Sequence, residues 1–146
     1  MIILSDEDLI WTELTNRLDE LGSQYGCSFV ALPIANRGIA TPDDELARIC
    51  RQEGAAALLT ANYKDFAAKL VYYQALLSAG VSAIVLRQPN PRIDDPDIDY
   101  QLALVEPHLQ RIVRQLERTG EPLLFIINKS GLRIRRLQDL IDQLST

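Results

Sequence analysis

The sequence predicts an α/β fold: a three-layer α/β/α sandwich built around a mainly parallel central sheet, with residues 1–146 forming one domain. Two observations carry this. Short apolar runs alternate with longer amphipathic ones, "MIIL", "DLIWTELTNRLDEL", "CSFVAL", "DDELARICRQEG" and "AAALLT", which is the βαβαβ rhythm of a parallel sheet. A chain of 146 residues with 47% hydrophobic content is also long enough to bury one real core.

The elements follow in order. In the first helix Leu9, Ile10, Leu14, Leu18 and Leu21 recur at three- and four-residue steps, with Glu13, Arg17 and Glu20 on the other face. Gly22 and Gly26 are expected to close it. "CSFVAL" is the second strand, "TPDDELARICRQEG" a capped second helix, and "AAALLT" the third strand. A third helix, about Tyr63 to Ala79, ends at Gly80 and leads into the β-branched strand "VSAIVL". Arg87 to Asp99 holds three prolines and no hydrophobic period, so it reads as a loop. A helix from about Tyr100 to Arg118 follows, with Pro107 predicting a kink. "PLLFIIN", "KSG" and "LRIRRL" form a β-hairpin, and "LQDLIDQL" a last short helix.

Composition narrows the function. Acidic residues outnumber basic ones 20 to 15, giving a formal charge of −5, which argues against coating nucleic acid through a general positive field. A phosphate would instead need a bound cation or a local strip such as Arg133, Arg135 and Arg136 in "RIRR". Cys27 and Cys50 lack CxxC or His-paired spacing and read as reduced core thiols. No apolar run reaches the roughly 20 residues of a membrane span, and "MIILSDEDL" has no basic n-region, so the expected location is the cytoplasm.

Acids gather where parallel strands end and helices begin. "SDED" (Ser5 to Asp8) follows strand one, "TPDDE" (Thr41 to Glu45) opens helix two, and "TANYKD" (Thr60 to Asp65) follows strand three. Helix capping explains each singly: Thr41 with Pro42 and Asp44, Asn62 with Asp65, and Asp6 or Asp8. Together they differ, because like charges on one low-dielectric rim are costly unless a cation neutralises them, and carboxylates are the ligands Mg²⁺ and Mn²⁺ prefer.

The run from Asp44 through "ELARICRQEGAAALLTANYKDF" resembles the latter core of PIN-domain nucleases, the VapC-like toxins: an acid opens a helix, a Gly separates it from a strand, and the strand enters T-x-N-x-x-D-F. Thr60, Asn62, Asp65 and Phe66 fill that signature, and Asp6 matches the essential Asp after the opening strand. "GVSAIVLRQPN" and "FIINKSGLRIRRL" are similar to a compact PIN-like branch found beside small antitoxins. The resemblance implies Mg- or Mn-dependent hydrolysis of RNA by the toxin of a toxin–antitoxin pair. Its catalytic set would be Asp6, Asp44, Asn62 and Asp65, with Asp6, Asp44 and Asp65 on the metal and Arg37 and Lys64 on substrate phosphates. The family's further acid on an early helix is missing, since "IANRGIA" holds none, and Asp43, Glu7 and Glu45 are alternates. The expected partners are RNA, a cognate antitoxin and a second copy in a homodimer, with no membrane.

Two other functions compete. "IILSDEDL" is also similar to the first strand of receiver domains, but a receiver needs an acceptor Asp where this chain has Thr60, Ala61 and Asn62. A catalytically inert PIN-like interaction module would use the acids only as caps. His108, the single histidine, follows Pro107 and reads as a surface residue, while "DDPDID" lacks the Gly and terminal Glu of an EF-hand and reads as a helix start.

Overall fold

The computed structural model describes residues 1–5, 12–31, 43–61, 69–87 and 98–145. Six strands form one sheet: β1 (Ile2–Ser5), β2 (Ser28–Ala31), β3 (Ala55–Ala61), β4 (Ser82–Leu86), β5 (Leu123–Asn128) and β6 (Gly131–Arg136). Their spatial order is β2-β1-β3-β4-β5-β6, parallel from β2 to β5, with β6 antiparallel to β5. The interior strands are apolar because both faces are covered. All five residues of β4 are buried, as are the first five of β5.

The helices are α1 (Thr12–Ser23), α2 (Asp43–Gln52), α3 (Leu70–Ala79), α4 (Ile98–Val105), α5 (Leu109–Arg118) and α6 (Leu137–Leu144). Strand side chains alternate between two cores. Ile3, Leu59, Ile84, Leu86, Phe125 and Ile127 pack with α1, α4 and α5, whereas Leu4, Leu58, Ala83, Val85, Leu124 and Ile126 pack with α2, α3 and α6. This is the three-layer α/β/α sandwich and mainly parallel sheet that the sequence pattern predicts.

The layers reveal an uncommon connection. From β1 to β2 the chain moves one way across the sheet through α1; from β2 to β3 and β3 to β4 it moves the other way through α2 and α3 on the opposite face. Those three crossovers share one hand. From β4 to β5 the direction is unchanged, but α4 and α5 lie on the α1 face, so this crossover has the opposite hand. About 98% of such crossovers are right-handed, which makes the last one the left-handed exception. It is anchored at both ends. The Asp99 carboxylate of α4 accepts a bond from Arg17 of α1 at 2.6 Å, and the buried Ser82 hydroxyl at the start of β4 accepts the amide of Leu123 at 2.9 Å.

Several boundaries differ from the sequence reading for identifiable reasons. Gly22 does not close α1 but lies inside it, because its missing side chain lets the helix approach β2. Gly26, with φ 73°, makes the turn that follows. The helix expected over 100–118 begins two residues earlier. It breaks at Glu106–His108 into a 3-10 turn, since Pro107 has no amide to donate and its ring crowds the preceding turn. The third helix is described from Leu70; residues 62–68, to which its expected start belongs, lie outside the described residues, as do 88–97 of the expected loop. Ile98 and Asp99 of that loop are helical. The hairpin is as expected, with Gly131 at φ 135° and the Asn128 side chain accepting the Ser130 amide at 2.8 Å.

Helix α1 is tied to the outer strand β2 by more than apolar contact. The Asp19 carboxylate accepts the backbone amide of Phe29 at 3.0 Å, and the amide of Cys27 donates to the Gly22 carbonyl at 2.9 Å. A Cβ at position 22 would stand 2.7 Å from the Cys27 carbonyl oxygen and 3.2 Å from the Phe29 ring. Gly22→Ala should therefore lower stability by about 1–3 kcal/mol, read as a fall in the urea midpoint; an unchanged midpoint would mean that α1 lifts freely off β2.

Both cysteines are buried thiols. Burial, more than the opposing pull of the chain's amino group or the push of Asp19, raises the Cys27 thiol from 9.0 to about 11. The folded protein then holds this proton after the unfolded chain has released it, so stability falls as pH rises from about 9 to 11. Urea titrations at pH 8 and 10.5 should show a smaller alkaline loss in Cys27→Ala than in the parent protein. Equal losses in the two would assign the alkaline limb to other groups.

Candidate functional site

Parallel pairing sends the carboxyl ends of β1 to β5 to one rim of the sheet, and α1 to α4 begin their return across the layers from that side. Strand β1 sits at the point where strand order reverses. Its last residue, Ser5, is level with Ala31 of β2 on one side and Leu59 of β3 on the other. In open α/β sheets this is where ligands bind, because successive connections leave toward opposite faces and a crevice opens between them. The chain makes that change twice here: α1 and α3 leave β1 and β3 to opposite faces, and so do α3 and α4 after β3 and β4. The end of β3 is thus flanked by two such changes of face.

The expected site residues stand in the sequence relative to these elements as follows. Asp6 directly follows β1, and Asn62 directly follows β3, with Lys64 and Asp65 just beyond; all four, and Arg37, lie outside the described residues. Asp44 is the second residue of α2, although its side chain is not among those described. The sheet therefore brings the β1 and β3 roots of Asp6 and Asn62 onto neighbouring strands. Among the described residues no three His, Cys, Asp or Glu side chains gather as a metal cluster. The expected donors, three carboxylates and an amide, are hard oxygen ligands and fit Mg²⁺ or Mn²⁺ chemically.

Four described residues at or near the rim stand out. The Ser5 side chain is 1% exposed, and its hydroxyl has no hydrogen-bond partner among the described residues. Thr60, 4% exposed, alternates with Leu59 and so belongs to the opposite face of the sheet. Lys69 stands at the start of α3, its ammonium 5.5 Å from the centre of the Tyr72 ring. A cation there opposes the helix dipole, and the first turn of α3 contains no acid. Arg87 follows β4, one step beyond the Leu86–Ala61 pair. Sequence reading missed Lys69 and Arg87. Lys69 could have been found as a cation at a helix start, but Arg87 only from the strand register.

The basic hairpin strand has a different role from a free phosphate strip. Arg135 donates to the Gln143 side chain at 2.8 Å, and Arg136 binds Glu121 at 2.8 Å and Asp139 at 3.5 Å. The hydrogen bond it donates to Glu121, then the charges of Glu121 and Asp139, push the Arg136 guanidinium further above its ordinary value. Two of the three arginines thus fasten β6 to α6 and to the segment before β5. His108 ends the 3-10 turn, half-buried and away from any acid cluster among the described residues.

No known family model matches the chain, and no curated protein matches it either.

The buried Ser5 hydroxyl has no hydrogen-bond partner among the described residues, so its removal should not weaken the unliganded protein. Ser5→Ala is expected to leave the thermal midpoint unchanged or raise stability by up to about 1 kcal/mol. A loss larger than that would reveal a hydrogen-bond partner in solution.

Proposed function

We propose that this chain is a divalent-metal-dependent ribonuclease of PIN type, acting in the cytoplasm as the toxin of a toxin–antitoxin pair. The observation that carries the reading is the adjacency of β1 and β3, with Ser5 level with Leu59 at the reversal of strand order. Asp6 leaves the first of these strands, and Asn62 and Asp65 leave the second. Asp44 belongs to the helix that enters its layer from the same rim.

Asp6 and Asp65 would hold Mg²⁺ or Mn²⁺ directly, with Asp44 as a further ligand or orienting a water. When bound, such an ion supplies Lewis acidity and a nucleophilic water at neutral pH. Asn62, a neutral amide, accepts a phosphate beside it with less repulsion than a fourth carboxylate would. Lys69 and Arg87 join Arg37 and Lys64 as the cations that draw phosphodiester oxygens toward an otherwise acidic rim. The rest of the metal's coordination shell is left to water and phosphate, as is usual for Mg²⁺.

The strand order also favours comparison with receiver domains, which share the doubly wound 2-1-3-4-5 arrangement. Their chemistry needs an aspartate at the end of β3 to accept a phosphoryl group, and this chain has Ala61 and then Asn62.

Purified protein should cleave single-stranded RNA in Mn²⁺ or Mg²⁺ and lose the activity in EDTA. Asp6→Asn and Asp65→Asn should each reduce the rate by more than about 100-fold while the circular dichroism spectrum is unchanged. Full activity in both variants would sink the reading. Absence of cleavage and of metal-linked stabilisation would leave an interaction module, and rapid labelling by a small phosphodonor would favour the receiver.

A further inference from the structure

Helix α5 carries an arginine stripe that neither packing nor the proposed catalytic rim uses. Its inward face is Leu109, Ile112, Val113 and Leu116, all buried. Arg111, Arg114 and Arg118 lie three and four residues apart on the other side and are exposed. At 1.5 Å per residue the stripe is about 10 Å long. None of the three makes a hydrogen bond or ion pair among the described residues, although Glu117 stands on the same helix three residues from Arg114. Elsewhere in this acidic chain Arg17 holds Asp99, Arg48 holds Glu45 and Arg136 holds Glu121, while Arg51 and Arg133, exposed singly and on separate elements, are unpaired among the described residues.

Local electrostatics does not account for the stripe. The helix dipole favours Arg118 in the last turn, but it opposes Arg111 in the first turn, where no acid compensates. The exposed positions of α5 also include no large hydrophobic residue; among the described residues the exposed ones are Met1, Val30 and Val71. A protein partner ordinarily buries an apolar or aromatic anchor at the centre of its interface. A nucleic-acid backbone asks only for cations that can fork onto phosphate oxygens, which is the chemistry of arginine.

We propose that Arg111, Arg114 and Arg118 form a phosphate-binding track for single-stranded RNA on the α1 face of the molecule. This rests on the reading of RNA as substrate and adds where the strand runs outside the acidic rim. Helix α5 ends next to the start of β5, at the rim opposite the acids, so Arg111 is the end of the track nearer the candidate site. The strand would be held by its backbone without sequence preference, and the track is independent of the metal.

The test is fluorescence anisotropy of a labelled 20-nucleotide oligouridine in EDTA, which prevents cleavage, over a series of KCl concentrations. Three phosphate contacts predict that a variant with Arg111→Gln, Arg114→Gln and Arg118→Gln loses about 2 units of the slope of log K against log [salt]. The matching Lys variant should retain most of it. A control with Arg48→Gln, Arg51→Gln and Lys129→Gln makes the same change in formal charge, from −5 to −8 (−5 − 3), and should keep the parent slope. An unchanged slope in the α5 variant, an equal fall in the control, or no binding by the parent protein would each overturn the track. Binding of an acidic polypeptide, and not of oligouridine, lost in the α5 variant would also overturn it, in favour of a protein partner. Failure of the nuclease reading looks different: the salt slope would respond as stated while Mn²⁺ produced no cleavage.

Discussion

The pairing of β1 with two parallel neighbours organises this molecule. A strand of four residues has few side chains with which to secure itself, yet both of its backbone edges are hydrogen-bonded and Ile3 and Leu4 are fully buried in opposite cores. Once β1 is central, the chain must leave it to one side for β2 and then cross back over it for β3. That path forces α1 and α2 onto opposite faces, because strand twist and helix hand permit one sense of crossover. The reversal of strand order at the carboxyl ends of β1 and β3 is a geometric result of the same path. The candidate chemistry is therefore positioned by backbone topology before any functional side chain is considered.

The left-handed connection from β4 to β5 works against that preference and needs compensation. Leu102, Val105, Leu109, Ile112, Val113 and Leu116 of α4 and α5 are buried against the sheet and α1. At about 1.5–3 kcal/mol for each large side chain removed from water, their combined burial outweighs a local conformational cost. The Arg17–Asp99 pair contributes little by comparison, since its carboxylate is 85% exposed and surface pairs are worth about 0–1 kcal/mol. Its effect is on alignment of α4 beside α1. A departure from a folding preference beside a candidate active rim agrees with the tendency of functional sites to hold a protein's exceptions.

Helical and strand periods made the layers legible in the sequence, since Leu14 and Leu18 or the continuous apolar run of β4 admit few other placements. Gly22 is legible as a glycine but not in its purpose: a close approach to a strand that begins six residues later in the chain has no local signature. Handedness was invisible for a related reason, because a pattern of apolar residues says that a helix buries one face and not which side of a sheet it covers. The candidate set Asp6, Asp44, Asn62 and Asp65 comes from the resemblance of sequence motifs. Arg87 could not be found that way, since its relation to Ala61 exists only through the register of β3 on β4. The stripe on α5 was present in the periodicity all along; its lack of acidic partners is a property of the fold.

The hydrogen bond from Phe29 to Asp19 reaches beyond the fastening of α1. Strand β2 is an edge of the sheet, and the Ser28 amide already points inward to the Met1 carbonyl, so the Phe29 amide is one of the groups a foreign strand would have to recruit. A carboxylate already occupies it, and a charged side chain now overlies the edge. At the other edge, Arg133 and Arg136 are exposed along β6, where a second copy would bring like charges together. With one border capped and the other electrostatically guarded, self-association by sheet extension is disfavoured at both ends.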